Sequence, residues 1–419
     1  MIKPYIKYAQ DVLSGEVACG EYIKLAAERF FRLIESDEYE FRESAVDYVI
    51  RFFSVLRHFT GRHAGQPFIL QPWQQFCIAN IYGFYKPDGT RLTRYVYIEI
   101  ARKNGKTAFA AGLSLYHLIA DKELDAEVDL AANSKEQAKI AFKFCSNFAK
   151  VIDPRGKDLV AYRDKIKFAK MISLLQVFAA DDSKLDGFNA SMYLLDEYHA
   201  SRNTGLKDVL QSSQGTRDNP LGVIITTAGF DKLGPCYKYR SMCAEVLSGV
   251  KSNDSLFAAI YSLDEGDDFK LQENWAKANP NLGITVKTNY LEEQVKLAVN
   301  SPSEEVGIKT KNFNVWCDAE MVWISDSYIL NSTKEIKLGD FAGQECYCGI
   351  DLSSTSDLTC VSFMIPTSEK YYFKTKYYLP EAALKEKRFK ELYGDWRRRG
   401  LITITPGNVT DYDYILNDI

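Results

Sequence analysis

The stretch RYVYIEIARKNGKTAFAAGLSLYHLIAD, residues 94–121, decides how the chain is read. Tyr95, Tyr97, Ile98 and Ile100 are β-formers, and from Ala108 to Ala120 the apolar residues recur at helical spacing. Between strand and helix stands Gly105-Lys106-Thr107. Glycine lets the backbone approach a phosphate, and the first turn of a helix carries N–H groups without intrahelical partners. The lysine reaches the terminal phosphates and the threonine hydroxyl holds Mg²⁺. Lys103 and Asn104 complete the loop. The full motif has another glycine five positions before Gly105, where this chain has Ile100, so the match is partial. A bare GKT also occurs in ordinary βα turns with a solvated lysine. Its place between an apolar strand and an apolar helix is what predicts nucleotide binding.

Downstream, residues 126–132 read as a buried strand, with Ser134 and Gln137 as a capping box opening the next helix. KIKFAK and SLLQVFAA form a hairpin, followed by the loop DDSKLDGFNA at 181–190. Met192 to Leu195 make a short buried strand with Asp196 and Glu197 at its carboxyl end. Two adjacent acids there are costly unless a cation meets them. A Mg²⁺–nucleotide complex does so, with Asp196 on the metal and Glu197 orienting and deprotonating the attacking water. LGVIITTAGF is a further strand ending in Thr226-Thr227-Ala228-Gly229, where hydroxyls are placed to sense a γ-phosphate. Strands alternating with helices argue for a mostly parallel α/β sheet.

Upstream, residues 1–60 read as a helical extension. Residues 66–85, QPFILQPWQQFCIANIYGFY, open a helix at Gln71-Pro72. Phe68, Gln71 and Gln74 have the side chains to stack on and read an adenine; the plainer account is a helix start with an aromatic core contact. The expected divisions are a P-loop core at 61–263, a helical lid at 264–330, a linker at 331–344 and a second domain at 345–419. That second domain begins strand-Asp351 followed by two more antiparallel strands, as ribonuclease-H-like folds do. Such nucleases hold two metal ions on several carboxylates. Asp351 supplies one; Asp357 could be a second, but six residues on and across a turn it reads more readily as a turn residue.

Composition narrows the field. A net charge of −4 offers no global basic field, so any nucleic-acid contact is local. Lys385 to Lys390 and Arg397 to Arg399 are candidate patches, although each also reads as a solvated helix face. The nine cysteines include no CxxC pair, and the four histidines complete no zinc spacing. No signal core or membrane-spanning run is present, which reads as a soluble, intracellular protein without a membrane partner.

Together these stretches resemble the large terminase subunit of tailed bacteriophages. The resemblance rests on ARKNGKT (101–107), LLDEYHA (194–200), TTAG (226–229), WAKANPNLG (275–283), FNVWCDAEMVWIS (313–325) and GIDLSSTSDLT (349–359). It implies a RecA/ASCE-like P-loop ATPase with a helical lid, followed by an RNase H-like nuclease domain. It implies ATP and Mg²⁺ as cofactors, with Mg²⁺ or Mn²⁺ at a completed nuclease site. Lys106 and Thr107 match the P-loop pair, Asp196 the Mg²⁺ acid and Glu197 the catalytic glutamate. Arg102 matches a cis arginine, Thr226, Thr227 and Ala228 the coupling motif, and the Phe68–Gln74 stretch the adenine element. The family's loop often lacks the first glycine. The implied partners are double-stranded viral DNA, the portal protein and the small terminase subunit, with self-assembly into a ring on the portal. The implied setting is the bacterial host cytoplasm, transiently on the procapsid.

The family's nuclease domain runs past the position of Ile419, so the expectation is an incomplete nuclease whose only matched acid is Asp351. Two other accounts compete. A superfamily-2-like helicase needs a second RecA-like half, and none is visible after residue 260. A degenerate prophage remnant binding only a portal or small subunit sits poorly with an intact GKT and Asp196-Glu197.

Overall fold

The structure, a computed structural model, describes residues 2–179, 189–318, 326–355, 357–385 and 390–418. Most of the 181–190 loop, residues 319–325 of the FNVWCDAEMVWIS stretch, Ser356 of GIDLSSTSDLT and part of the Lys385–Lys390 patch lie outside the described residues. The chain divides into two compact units, 1–323 and 324–419.

The first unit opens with α1 (Pro4–Ser14), α2 (Glu21–Glu35), the short β1 (Glu40–Phe41) and α3 (Glu43–Val55). Pro4 sits in the first turn of α1, where its missing N–H costs nothing, and Gly15 closes it at φ 81°. Next come α4 (Pro72–Tyr82), β2 (Phe84–Tyr85), β3 (Tyr95–Glu99), α5 (Lys106–Ile119), β4 (Glu127–Ala132) and α6 (Lys135–Ile152). A meander of β5 (Leu159–Ala161), β6 (Lys165–Phe168) and β7 (Ser173–Ala179) precedes β8 (Met192–Asp196), α7 (Gly205–Ser212), β9 (Leu221–Thr226), α8 (Pro235–Leu247) and β10 (Leu256–Ile260).

These strands form one sheet in the order β10-β3-β9-β8-β4-β7-β6-β5. The first six are mutually parallel; β6 runs antiparallel to β7, and β5 antiparallel to β6. MYLLD, LGVIIT and LFAAI are buried along their whole length, as strands covered on both faces must be. The acid-bearing β8 stands one strand away from β3, with β9 between them. The order brings the carboxyl ends of β3, β9, β8 and β4 to one edge, where open parallel sheets hold ligands.

The expected division at residue 60 is not a boundary between compact bodies. Tyr5, Phe30 and Phe53 lie in the same apolar core as Val96, Leu194 and Ile225. An amphipathic face read from sequence says that a helix packs, not against what. The region expected as a lid carries α9 (Trp275–Ala278), α10 (Thr288–Asn300) and α11 (Pro302–Phe313). It keeps a small core of its own around Trp275, Leu291, Ile308 and Phe313. At α6 the capping box is half made: Ser134 Oγ accepts Gln137 N–H at 3.3 Å, while Gln137 Oε1 has no partner.

The second unit carries α12 (Asp326–Ser332), β11 (Tyr347–Asp351), β12 (Thr359–Pro366), β13 (Tyr371–Pro380), α13 (Lys390–Arg398), β14 (Thr403–Thr405) and α14 (Tyr412–Asp418). Its sheet runs β11-β12-β13-β14, antiparallel except for the β13–β14 pair. Strand β11 is exposed throughout, and Val361, Phe363, Tyr378 and Ile415 form a core on the opposite side of β12 from Asp351's partner Cys360.

A nucleotide site at the carboxyl edge of the sheet

Strand β3 delivers the chain into a tight loop. Lys103 and Gly105 both take left-handed backbone, at φ 70° and 81°, and Gly105 caps the amino end of α5. That turn places Lys106 and Thr107 in the first turn of α5, beside the end of β8. Lys106 Nζ lies 3.0 Å from Glu197 Oε1, and Thr107 Oγ1 donates to Asp196 Oδ2 at 3.3 Å. Residues ninety positions apart in sequence thus share one site.

Glu197 is the first residue beyond β8 and has left-handed backbone, φ 54° and ψ 45°. Its N–H donates to Asp196 Oδ1 (2.8 Å) and Ile225 O (3.0 Å), and its carbonyl accepts from Asn133 Nδ2 (3.2 Å). Asn133 is fixed in turn by Ser201 Oγ at 2.9 Å. Burial acts to raise the Glu197 pKa, but His199 and Lys106 outweigh it and hold the carboxyl down at about 2. Asp196 goes the other way. Burial, reinforced by the Glu197 charge, pushes it up to about 6 despite Lys106. One acid is thereby kept ionised, and the other is a buried carboxylate whose charge is only partly balanced, which a divalent cation would satisfy.

The 226–229 turn completes the edge. His199 N–H donates to Thr226 Oγ1 at 3.0 Å, and His199 Nδ1 lies 3.1 Å from that hydroxyl and 3.4 Å from Thr227 Oγ1. The same nitrogen approaches Glu197 Oε2 at 3.2 Å, a close contact outside hydrogen-bond alignment. His199 was not singled out by the sequence; its place two residues after Glu197 was the available signal.

Other expected site residues are placed differently. Asn104 is buried, and its side chain is spent on the lid. Its Nδ2 donates to Ala101 O (3.1 Å) and Asn279 Oδ1 (2.9 Å), and its Oδ1 accepts Asn281 N–H (3.1 Å). Asn281 Nδ2 returns a bond to Asn104 O at 2.8 Å, and Thr285 Oγ1 donates to Lys103 O at 2.7 Å. Only the backbone of Asn104 remains for a phosphate. The side chains of Arg102 and Lys103 are exposed, while Arg102 N–H donates to Lys311 O at 3.0 Å.

The aromatic-and-glutamine element does lie beside the loop, because Trp73 Nε1 donates to Asn281 Oδ1 at 2.8 Å. Its members are otherwise engaged. Phe68 is a core ring stacked on His58, with centroids 4.6 Å apart, and Gln74 Oε1 accepts the Gln71 N–H at 2.9 Å. Gln71 alone of the three is part-exposed.

Two clefts, of about 420 and 700 Å³, are lined by Arg32 and Asp254 beside the amino end of β10, away from this edge. A Ser191–His117–Asp121 alignment, at 3.0 and 2.8 Å, has the spacing of a hydrolytic triad. Its serine and histidine are buried, the hydroxyl also donates to Glu127 O, and Asp121 pairs with Arg91, so it is core structure. In the second unit Asp351 is exposed, and among the described residues no three metal-ligating side chains gather. Asp418 accepts from Tyr378 OH at 2.6 Å, on the sheet face opposite Asp351.

A glycine-turned loop at a helix start, a lysine, a threonine and an acid pair, on a parallel sheet with a strand between loop and acids, define the P-loop ATPase class. Residues 72–245 match the family model for the terminase large subunit ATPase domain, and residues 250–419 that for its endonuclease domain. The chain belongs to the terminase large subunit family. It is similar to protein YmfN of Escherichia coli K12, 32% identical over 245 residues, covering 56% of this chain and 54% of that one. It is 27% identical to the terminase large subunit of Enterobacteria phage HK97 over 398 residues, covering 90% of this chain and 73% of that one. The crystal structure of the HK97 large terminase superposes with a TM-score of 0.56 at 25% identity, covering 89% of this chain and 76% of that chain. The chain therefore spans about half the length of YmfN and about three quarters of the HK97 protein. Among the described residues no helix is long and apolar enough to cross a membrane.

Proposed function

We propose that this chain hydrolyses ATP to drive double-stranded viral DNA into a procapsid. The carrying observation is the convergence of Lys106, Thr107, Asp196 and Glu197 at one sheet edge. Lys106 and the amino end of α5 would bind the β- and γ-phosphates, and Thr107 with Asp196 would hold Mg²⁺. Bound Mg²⁺ supplies charge neutralisation at the phosphoryl oxygens. Glu197, ionised at any working pH, accepts the proton of a water it aims at the γ-phosphate, and Arg102 supplies the arginine for the developing charge. Gln71 is the member of the adenine element best able to read a base, with Phe68 and Gln74 fixing the helix that presents it. Thr226, Thr227 and Ala228 sense the γ-phosphate.

Family membership supports three partners: duplex DNA held through its backbone, a portal ring on which copies assemble, and a small subunit that delivers DNA. The site of action is the host cytoplasm, on the procapsid. Asp351 would be one carboxylate of a nuclease metal centre that uses Mg²⁺ or Mn²⁺.

The test is Glu197→Gln in the full chain. It should bind a fluorescent ATP analogue as the wild type does, while DNA-stimulated hydrolysis falls by roughly 10²–10⁴, the usual worth of a general base. Undiminished hydrolysis would remove the mechanism, and stimulation accompanied by strand unwinding would point to a helicase instead.

A further inference from the structure

The lid is fastened to the nucleotide site at two places. Where the chain enters it, Asn279 and Asn281 grip the phosphate loop. Where it leaves, α11 is capped by Asn314, a fully buried residue with left-handed backbone (φ 56°, ψ 38°). Asn314 Oδ1 accepts the Ala228 N–H at 2.6 Å, while its Nδ2 donates to Tyr261 O at 2.7 Å and to Glu99 Oε1 at 3.3 Å. Two residues on, Trp316 Nε1 donates to Glu99 Oε2 at 3.1 Å.

Glu99 ends β3, immediately before the phosphate loop, and is 0% exposed. Tyr97 OH (2.6 Å) and Arg240 Nε (3.2 Å) are its remaining donors. A carboxylate buried so deeply is tolerable because a cation and neutral donors surround it. Gly229 lets this layer close: a Cβ there would stand 3.1 Å from Trp316 Cζ3 and 3.2 Å from His199 Cβ.

The 226–229 turn therefore has two anchored sides. On one, the Thr226 and Thr227 hydroxyls meet His199, which abuts Glu197. On the other, the Ala228 amide is held by the lid's exit residue. We propose that Asn314 is a positioning residue for ATP hydrolysis. By tying Ala228 to Glu99, it sets the turn that orients His199 and, through it, Glu197, so that lid and catalytic carboxylate move together. The inference rests on the ATPase reading above. A purely local account exists, because asparagine is a favoured left-handed helix cap. That account makes Asn314→Gly harmless, whereas the positioning role does not.

The experiment uses the full chain with ATP, Mg²⁺ and duplex DNA. Asn314→Gly keeps the left-handed backbone and removes the side chain. It should lower kcat about tenfold or more, with ATP KM and analogue affinity within about threefold, the scale of coupling through such networks. In the nucleotide-free chain the Ala228 amide, stripped of its acceptor, should exchange hydrogen at least about tenfold faster, a readout independent of turnover. Asn314→Asp sets a carboxylate against Glu99 and should fail similarly.

Wild-type kcat in Asn314→Gly, or unchanged Ala228 exchange, would overturn the proposal alone. A wild-type chain that hydrolyses no ATP would overturn the motor reading and this inference with it.

Discussion

Asn104→Ala separates two accounts of the phosphate loop. If the side chain were a phosphate ligand, its loss would weaken ATP binding and leave the nucleotide-free protein unchanged. The hydrogen bonds say otherwise. Removing the amide strips the donor from Asn279 Oδ1, the acceptor from Asn281 N–H and one donor from Ala101 O. Asn279 and Asn281 are 1% and 3% exposed, so water does not readily replace what is lost. Each orphaned buried group costs about 1–3 kcal/mol, and after relaxation a net loss near 3 kcal/mol is reasonable. For the unit 1–323 that is a fall in Tm of roughly 4–5 °C, measurable by differential scanning fluorimetry without nucleotide. ATP affinity should also weaken, because the loop is no longer pre-shaped. A nucleotide-free Tm within about 1 °C of wild type would refute the reasoning.

Three further outcomes are expected. Gly112→Ala should destabilise despite the roughly 1 kcal/mol helix-propensity gain, because the new Cβ would sit 2.4 Å from Phe53 Cε1 and overpacking costs about 1–3 kcal/mol; a higher melting temperature would contradict this. Asp129 lies in β4 with its carboxyl pushed up to about 8 by burial and by Glu127, and its Oδ2 is unpartnered. A raised folded pKa gives stability that is full below the unfolded value of about 4 and lost as pH rises through about 8. Asp129→Asn should therefore stabilise the chain by about 2–4 kcal/mol at pH 8.5 and by little near pH 4, checked by denaturant titration at both. Arg102→Ala should cut kcat by roughly 10³ or more with little change in analogue affinity; a change confined to KM would make it a binding residue.

The sequence made the sheet edge legible because its signals are local. An apolar strand, a GKT and an apolar helix announce a βα unit, and MYLLDE and LGVIITTAG announce strands with polar ends. Parallel packing then brings those ends together. What stayed hidden depends on partners far along the chain. Nothing in KNGKT says that Asn104 faces Asn279 and Asn281 instead of a phosphate, since those bonds span some 175 residues. WAKANPN and FNVW were visible as signatures, but the work of their asparagines appears only with the lid folded over the loop. Phe68 and Gln74 have the chemistry of base recognition, and their neighbours give them core and capping work. The helices of residues 1–60 advertised apolar faces without naming the sheet they cover.

The twist at Glu197 has an evolutionary consequence. A long side chain in left-handed backbone costs of order 1 kcal/mol, which glycine would avoid and asparagine would reduce. Replacing it would also leave the buried Lys106 ammonium without its carboxylate partner, so neither glycine nor asparagine is a free gain in folding energy here. The strained turn is thus held against drift toward a relaxed backbone by the charge pair its side chain makes.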